Sequence, residues 1–412
     1  MIKKSIVFIT FWFVSLSCVF ADGEKLDTPF TPTHHDFISN EEVFYNSVPP
    51  QQILPLSLAT HPSDYKHEEN RTLYFIPTTT TFVRDAEYFL PYTKGYTSLG
   101  FNFDPTFLYK INEKAIIQAG IHIMGIAGDH KTIREISPII SLEFKPTKWF
   151  SLVGGSLGNG AKHMLYEPMY DFDRYFYDNQ EMGLETIANT KIWTTDMWCN
   201  WEDFIVPGSD FQERFTFGWK NDFHIQSSKN TEINIPVHLM MNHRGGQIDA
   251  VEDTCIETLM NVAMGVNMEI KLNKITLTPD IPVFFFSNRS NEEHIHTHYK
   301  DGFGVYPQIC IANRTTKAHH WKANVGYWYG DKFISGRGSY LFQSRAYFDD
   351  SFERRYRHMI TGKACYNYYI KGFNFGFEIQ AYYDIDESAV DYAAGIYMRF
   401  EELFKIHSFK KR

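Results

Sequence analysis

The segment from Gly160 to Gln180 is the most unusual part of the chain, because it combines His163, Glu167, Asp171, Asp173 and Arg174 with six aromatic rings. Such a segment suits a loop that folds into the protein interior, an aromatic platform for a sugar or other ligand, or a cation site built on its carboxylates. Carboxylates two positions apart lack the spacing and the glycine of a calcium loop. So many rings would not stay exposed without a partner. We therefore expect a constriction loop that folds inward.

A second group of side chains could bind metal. His294, His296 and His298 alternate with other residues, so in an extended chain their imidazoles share one face, as metal binding requires. The alternative is a solvated loop that is rich in histidine, and we favour it. No metal and no cofactor is therefore predicted.

Catalytic motifs are scarce. The chain contains no G-x-S-x-G and no H-E-x-x-H, and its best acid-base pair is His243 with Asp249, beside Arg244-Gly245-Gly246. We therefore predict no enzymatic activity, and an outer-membrane hydrolase ranks third among the functional hypotheses.

The elements that must position these residues are strands. From Val262 to Leu272 every even position is apolar, whereas the odd positions from Asn261 to Asn273 are polar or small. A strand puts successive side chains on opposite faces, so one face of this strand is apolar and the other is polar and suited to contact with water. This stretch is longer than an average soluble strand, and it is typical of a transmembrane β-barrel.

The same pattern recurs along the chain and predicts sixteen strands, an even number as single-chain bacterial barrels require. They lie near residues 72–85, 96–112, 115–127, 133–146, 149–159, 181–190, 192–205, 213–226, 231–244, 257–272, 274–288, 302–313, 319–332, 357–370, 372–384 and 389–402. Short and long connections alternate between them, as periplasmic turns and extracellular loops do. The segment 340–347 is partly strand-like and could extend the wall by one hairpin. Prolines within strands are the main objection to a closed barrel, which has no free edge, so bulges or strand ends must accommodate them and a secreted β-sandwich or propeller stays open as the alternative.

The predicted fold class is all-β, a transmembrane antiparallel up-and-down barrel of about sixteen strands. Residues 1–21 have the basic start and apolar run of a signal peptide, although Cys18 could instead be a lipid-attachment site. A proline-containing periplasmic extension is predicted over 22–71, the barrel over 72–404, and a short tail over 405–412. The net charge of -9 excludes nucleic acid as a partner.

Alternation also assigns side chains to the lumen. The polar faces of the strands carry positive and negative side chains in mixed order. They lack the run of inward arginines and lysines that an anion-selective pore would use. The lumen-lining candidates are Asp196, Trp198, Asn200, Glu202, Arg214, Lys220, Asp222, Glu232, His238, Glu269, Lys271, Lys363 and Glu378.

Residues 181–218 and 389–400 give the chain a family resemblance. Trp198-x-Asn200-Trp201-Glu202, followed by Gln212-Glu213, resembles the porin-like outer-membrane barrels of unassigned role in Bacteroides-type Gram-negative bacteria. The resemblance implies an exported barrel in the outer membrane. We expect a porin-like channel for passive or substrate-preferring diffusion of small hydrophilic solutes, and the alternative is a plugged barrel that binds a ligand or has a structural role. The expected partners are outer-membrane lipids, lipopolysaccharide, the barrel-assembly machinery and a possible second copy of the chain.

Overall fold

The computed structural model describes residues 69–178, 180–245, 256–290, 299–314, 318–349 and 351–410, without the side chains of residues 226 and 227. The predicted signal peptide, most of the predicted extension, Asp249 and the histidines at 294, 296 and 298 lie outside the described residues. Within them, no helix is both long enough and apolar enough to cross a membrane.

The described chain is almost entirely β-strand. Its strand segments are β1 (Thr72–Glu87), β2 (Tyr96–Asn112), β3 (Ala115–Ile126), β4 (Ile133–Thr147), β5 (Phe150–Gly158), β6 (Glu181–Asn189), β7 (Trp193–Asp203), β8 (Arg214–Ser227), β9 (Thr231–Arg244), β10 (Glu257–Lys271), β11 (Ile275–Asn288), β12 (Asp301–Val305), β13 (Gln308–Asn313), β14 (His319–Asp331), β15 (Tyr356–Ile370), β16 (Phe373–Asp384), β17 (Ala389–Phe400) and β18 (Phe404–Ser408). Every neighbouring pair is antiparallel, and β1 pairs with β2 on one side and with β17 and β18 on the other. The sheet is therefore closed.

The sixteen predicted strands are confirmed. Both β12 and β13 pair with β11 and β14, so they form one strand that is interrupted at Tyr306 and Pro307. Likewise, β17 and β18 both pair with β1 and form the last strand. The boundary predicted after residue 404 was wrong, because Phe404–Ser408 pairs with β1 and belongs to the wall. Two glutamates at 401 and 402 break the alternation there, which hides the continuation in the sequence.

The outer surface of the barrel is apolar. Large side chains such as Ile140, Leu184, Ile225 and Val325 point outward and are more than half exposed. A closed barrel with this surface and a polar interior has the physical character of a transmembrane barrel. Pairing continues through Pro105, Pro138, Pro236, Pro279 and Pro282. The sandwich alternative is therefore excluded.

Candidate functional site

Two long connections fold into the lumen and form what we call the plug, residues 160–178 and 333–348. Tyr166, Met169, Phe333 and Phe342 of the plug are almost completely buried in one apolar cluster with wall residues such as Trp328. The plug thus fills the lumen at this level. The possibility that 340–347 extends the barrel wall was wrong, since Tyr340–Phe342 forms a short 3₁₀ turn inside the plug.

Local hydrogen bonds shape the first plug segment. The side chain of Asn159 accepts a bond from the backbone of Ala161 at 2.9 Å and starts the 3₁₀ turn Gly160–His163. The carboxylate of Asp171 accepts from the backbone N–H of Asp173 at 3.1 Å and starts the second turn, Phe172–Phe176. These two caps hold the loop in a compact form that fits the lumen.

The two plug segments also bind each other through the backbone. The N–H of Asp171 donates to the carbonyl of Arg337 at 2.8 Å, and the N–H of Ser339 donates to the carbonyl of Glu167 at 3.1 Å. The hydroxyl of Ser335 donates to the carbonyl of Met169 at 3.2 Å. The plug is therefore one packed unit.

His163 anchors this unit to the wall. Its Nδ1 lies 2.7 Å from Oδ2 of Asp196 and its Nε2 lies 3.0 Å from Oε2 of Glu181, while its ring lies flat on Trp198. Burial lowers the pKa of an imidazole, but the two carboxylates outweigh it and raise the pKa of His163 to about 9. His163 is therefore an imidazolium that donates from both nitrogens.

The same pocket contains the best group of metal ligands among the described residues. The ligand atoms of His163, Glu185 and Asp196 lie within 4.8 Å of one another. However, both nitrogens of His163 already bond to carboxylates, and Lys162 Nζ lies 2.7 Å from Oε2 of Glu185. A cation would have to displace both positive side chains, so we interpret the group as an internal ion-pair network.

A second network holds the other side of the plug. Arg84, which is 1% exposed, lies 2.8 Å from both Asp173 of the plug and Glu378 of the wall. Lys363 of the wall pairs with Glu167 of the plug. Removing either cation would leave buried carboxylates without a counter-charge.

The remaining sequence candidates fall into three places. Asn200, Glu202 and Arg214 line a cavity above the plug, where Arg337 pairs with Glu202, and Arg174 of the plug lines the same cavity. Lys220, Asp222 and His238 form an ion-pair group in the wall, with 3.5 Å between Lys220 and Asp222. Another wall group contains Glu232, Glu269 and Lys271, and its members lie 3.4–3.6 Å apart.

On the outer face, the strand register lines up a row of residues that sequence spacing did not bring together. Phe215 pairs with Trp201 of β7 on one side and with His243 of β9 on the other, and His243 pairs with Thr258 of β10. Arg289 follows on the next strand, with its N–H 2.9 Å from the carbonyl of Thr258. We call these five residues the outer row.

The hydrogen bonds of His243 fix its protonation pattern. Nε2 lies 2.7 Å from the carbonyl of Gly245, which can only accept, so Nε2 carries the proton of the neutral ring. Nδ1 is then an acceptor, and the hydroxyl of Thr258 lies 2.8 Å from it. This is the arrangement of a hydroxyl nucleophile, a base and an orienting group. Sequence reasoning chose His243 but paired it with Asp249, because Thr258 becomes its neighbour only through the β9–β10 register.

Gly245 supports this geometry. Its φ of +88° lies in the region that favours glycine, and its N–H donates to the carbonyl of Glu213 at 2.9 Å. Its own carbonyl is thereby held against Nε2 of His243. The outer row therefore combines an aromatic surface, an oriented hydroxyl–imidazole pair and a cation.

Comparison with known proteins gives a family and a set of similar folds. The sequence profile of a lipid A 3′-O-deacylase-type family matches residues 65–409. No curated protein sequence matches. Among solved structures, Pseudomonas putida OprB is similar with a TM-score of 0.49 and 9% identity over 80% of this chain and 94% of that one. OmpT of Vibrio cholerae with loop L8 deleted gives a TM-score of 0.47 and 9% identity over 80% and 99%.

The family match corrects the prediction that the chain is not an enzyme, because the matching family is one of deacylases. That prediction rested on the absence of familiar serine and zinc motifs. Motifs that are continuous in sequence cannot reveal a site whose members are contributed by adjacent strands. The matching family also differs from the porin-like family that the sequence resembled, although both imply an outer-membrane barrel.

Proposed function

Since the chain belongs to the lipid A 3′-O-deacylase-type family, we propose that it hydrolyses acyl esters of a glycolipid in the outer leaflet, with His243 as the base and Thr258 as the nucleophile. The observation that carries this proposal is the pair of hydrogen bonds that orient His243 between Thr258 and Gly245. A hydroxyl that donates to an unprotonated imidazole nitrogen is ready to lose its proton to that nitrogen.

The chemistry follows from this geometry. Oγ1 of Thr258 attacks the ester carbonyl as Nδ1 of His243 takes the hydroxyl proton. The tetrahedral species collapses, the sugar oxygen leaves with the proton from His243, and the acyl group remains on Thr258. Water, deprotonated by His243, then releases the fatty acid and restores Thr258. Each proton that His243 accepts is returned, so the two steps balance.

The surroundings of the pair suit an acylated substrate. Trp201 and Phe215 lie on the same outward face, 5.6 Å apart between ring centroids, and Phe215 lies 4.9 Å from His243. Their rings offer an apolar surface to an acyl chain at the edge of the membrane. Arg289, exposed and next to Thr258, supplies positive charge for a phosphate group or a developing oxyanion.

A passive pore is less well supported. Two segments of the chain fill the lumen with buried apolar side chains, and the ion pairs of Arg84 and Lys363 hold them there. A small solute would have to displace this packing. The plugged-barrel alternative fits the structure better than the open channel, and an active site on the outer face needs no open lumen.

The test measures fatty-acid release from purified lipopolysaccharide by mass spectrometry, with the protein folded in detergent–phospholipid micelles. His243→Ala and Thr258→Ala should each reduce release at least about 100-fold, because base and nucleophile act together. Thr258→Ser should retain activity, since it keeps the hydroxyl. His358→Ala is the matched control: this histidine also bonds a hydroxyl, that of Tyr327, at 2.7 Å, but lies on β15. No release by the native protein, or equal release by His243→Ala, would contradict the proposal.

A further inference from the structure

Two cavities open above the plug, on the side of the long connections. One has a volume of about 580 Å³ and the other about 1050 Å³. Both are of the size of ligand pockets, on the order of 300–1,000 Å³. They share Arg174, Tyr340, Tyr347 and Phe348 as lining residues. The two cavities therefore adjoin along these residues, and we call the combined space the vestibule.

Three of the shared residues form an aromatic ledge, Tyr340, Tyr347 and Phe348. The ring of Tyr347 lies 4.5 Å from that of Tyr340 and 4.6 Å from that of Phe348. Yet Tyr347 is 56% exposed and Phe348 is 53% exposed. Contiguous exposed rings inside a concave site are typical of a binding surface rather than of a core.

The ledge is held in place by its neighbours. The N–H of Tyr347 donates to the carbonyl of Tyr92 at 2.9 Å. Tyr92 in turn lies under the guanidinium of Arg357, 3.4 Å from its ring centroid, and Arg357 is paired with Asp384 at 2.9 Å. On the other side, Lys94 lies 4.6 Å over the ring of Phe348. A surface that is fixed before binding loses little conformational entropy when a ligand arrives.

The charges of the vestibule are balanced. Five arginines and five carboxylates line the larger cavity, and four basic and three acidic side chains line the smaller one. A cavity for an anion or a cation would favour one sign. A neutral ligand with many hydroxyl groups suits this lining, because each hydroxyl can donate to a carboxylate or accept from an arginine.

From these observations we infer that the vestibule binds a neutral oligosaccharide. Sugar rings present apolar C–H faces that stack on the ledge, while their hydroxyls reach the charged side chains around it. This inference goes beyond the proposed hydrolysis and does not depend on it. The ledge belongs to the plug, whereas the outer row belongs to the strands of the wall, where Trp201, Phe215 and His243 also line the rim of the larger cavity.

The test is isothermal titration calorimetry of the full-length protein in detergent micelles with soluble maltohexaose, mannohexaose, xylohexaose and chitohexaose. At least one should bind, and Tyr347→Ala with Phe348→Ala should weaken that binding at least about tenfold, which is about 1.4 kcal/mol. Phe89→Ala is the matched control, because this ring is 65% exposed but lies outside both cavities and contacts Tyr392 on the outer surface. The Phe89→Ala variant should bind the oligosaccharide with the affinity of the native protein.

Two outcomes would overturn the inference. One is that none of the four sugars binds at concentrations up to about 10 mM, the limit of weak but specific recognition. The other is that the double variant, shown to be folded by its heat-dependent electrophoretic shift, binds as well as Phe89→Ala. The oligosaccharides contain no acyl ester, so protein that binds them without releasing fatty acid contradicts only the proposed hydrolysis. Protein that releases fatty acid but does not bind them contradicts only this inference.

Discussion

The imidazole of His163 lies flat against the indole of Trp198, with their centroids 3.5 Å apart and their planes 3° apart. One ring belongs to the plug and the other to the wall, so this stack joins the two. Trp198 in turn lies opposite Gly218 of the neighbouring strand, with no side chain between them. The wall thus offers the plug a flat aromatic surface because a glycine leaves room for it.

Gly218→Ala should therefore destabilise the barrel. A Cβ at this position would overlap with the indole of Trp198 and push it off its place beneath His163. Overpacking of this kind costs about 1–3 kcal/mol. Gly362→Ala is the control, because nothing lies within 4 Å of the added carbon there, and its effect should stay within about 0.5 kcal/mol. The measurement is the urea midpoint of unfolding in lipid vesicles, and equal midpoints for the two variants would refute the packing argument.

Arg84→Ala should loosen the plug. The guanidinium is 1% exposed and neutralises both Asp173 and Glu378. Its removal leaves two buried carboxylates, which costs about 3–5 kcal/mol when a single partner is lost from a buried pair. Arg355→Ala removes a similar pair with Asp331, but that arginine is 52% exposed and its loss should cost less than about 1 kcal/mol.

The two arginine variants are compared by limited proteolysis of the folded protein. Cleavage within residues 160–178 should appear in Arg84→Ala and be absent from Arg355→Ala. If both variants resist the protease as the native protein does, the ion pairs of Arg84 do not hold the plug.

His163 should make stability depend on alkaline pH. The pKa of His163 is raised to about 9 in the folded protein, whereas an unfolded histidine titrates near 6.5. Its contribution, up to about 3 kcal/mol, is complete below pH 6.5, declines as the pH rises, and is lost above pH 9. Urea midpoints measured from pH 6 to 10 should therefore fall across this window. The side chain in His163→Gln cannot titrate, so the urea midpoint of this variant should decrease less over the same pH range. An equal decrease in the variant and the native protein would mean that other groups cause the pH dependence.

The sequence predicted the wall of the barrel well and its interior less well. Strict alternation specifies which side chains face outward, and it works for β10 because lipid selects apolar residues at every second position. Residues 340–347 are also partly strand-like in sequence, but Leu341 and Phe342 are buried in the plug, and an apolar segment alone does not distinguish lipid from a protein interior. The inward path of the segment that contains His163 was predicted from its many rings. Its partners Asp196 and Trp198 could be placed in the lumen but not beside it.

The hydroxyl–imidazole pair shows a different limit. His243 and Thr258 are fifteen positions apart, and they become neighbours only because β9 and β10 pair in one particular register. A shift of one residue would turn Thr258 to the lumen and leave His243 without its hydroxyl. Nothing in the spacing of the two residues indicates that register. The hydrogen bond between His243 and Gly245 also depends on the positive φ of Gly245. A glycine in the sequence allows a positive φ but does not require one.

Removal of the plug segment should open the barrel. Replacing residues 161–177 with a short glycine–serine linker deletes Tyr166, which packs against Phe284 of the wall, and the carboxylates that bind Arg84 and Lys363. A barrel of sixteen strands is wide enough for an aqueous channel when nothing fills it. The variant should show stable conductance steps in a planar lipid bilayer, whereas the native protein should conduct far less.

The matched control replaces residues 206–211, a connection on the same side of the barrel whose exposed Val206 and Phe211 make no part of the plug cluster. That variant should conduct as little as the native protein, and both variants should keep the heat-dependent electrophoretic shift of a folded barrel. Large native conductance that removal of residues 161–177 does not increase would mean that solutes pass around the plug. In that case the charged side chains of the wall, rather than the packing of His163 and its neighbours, would set the permeability.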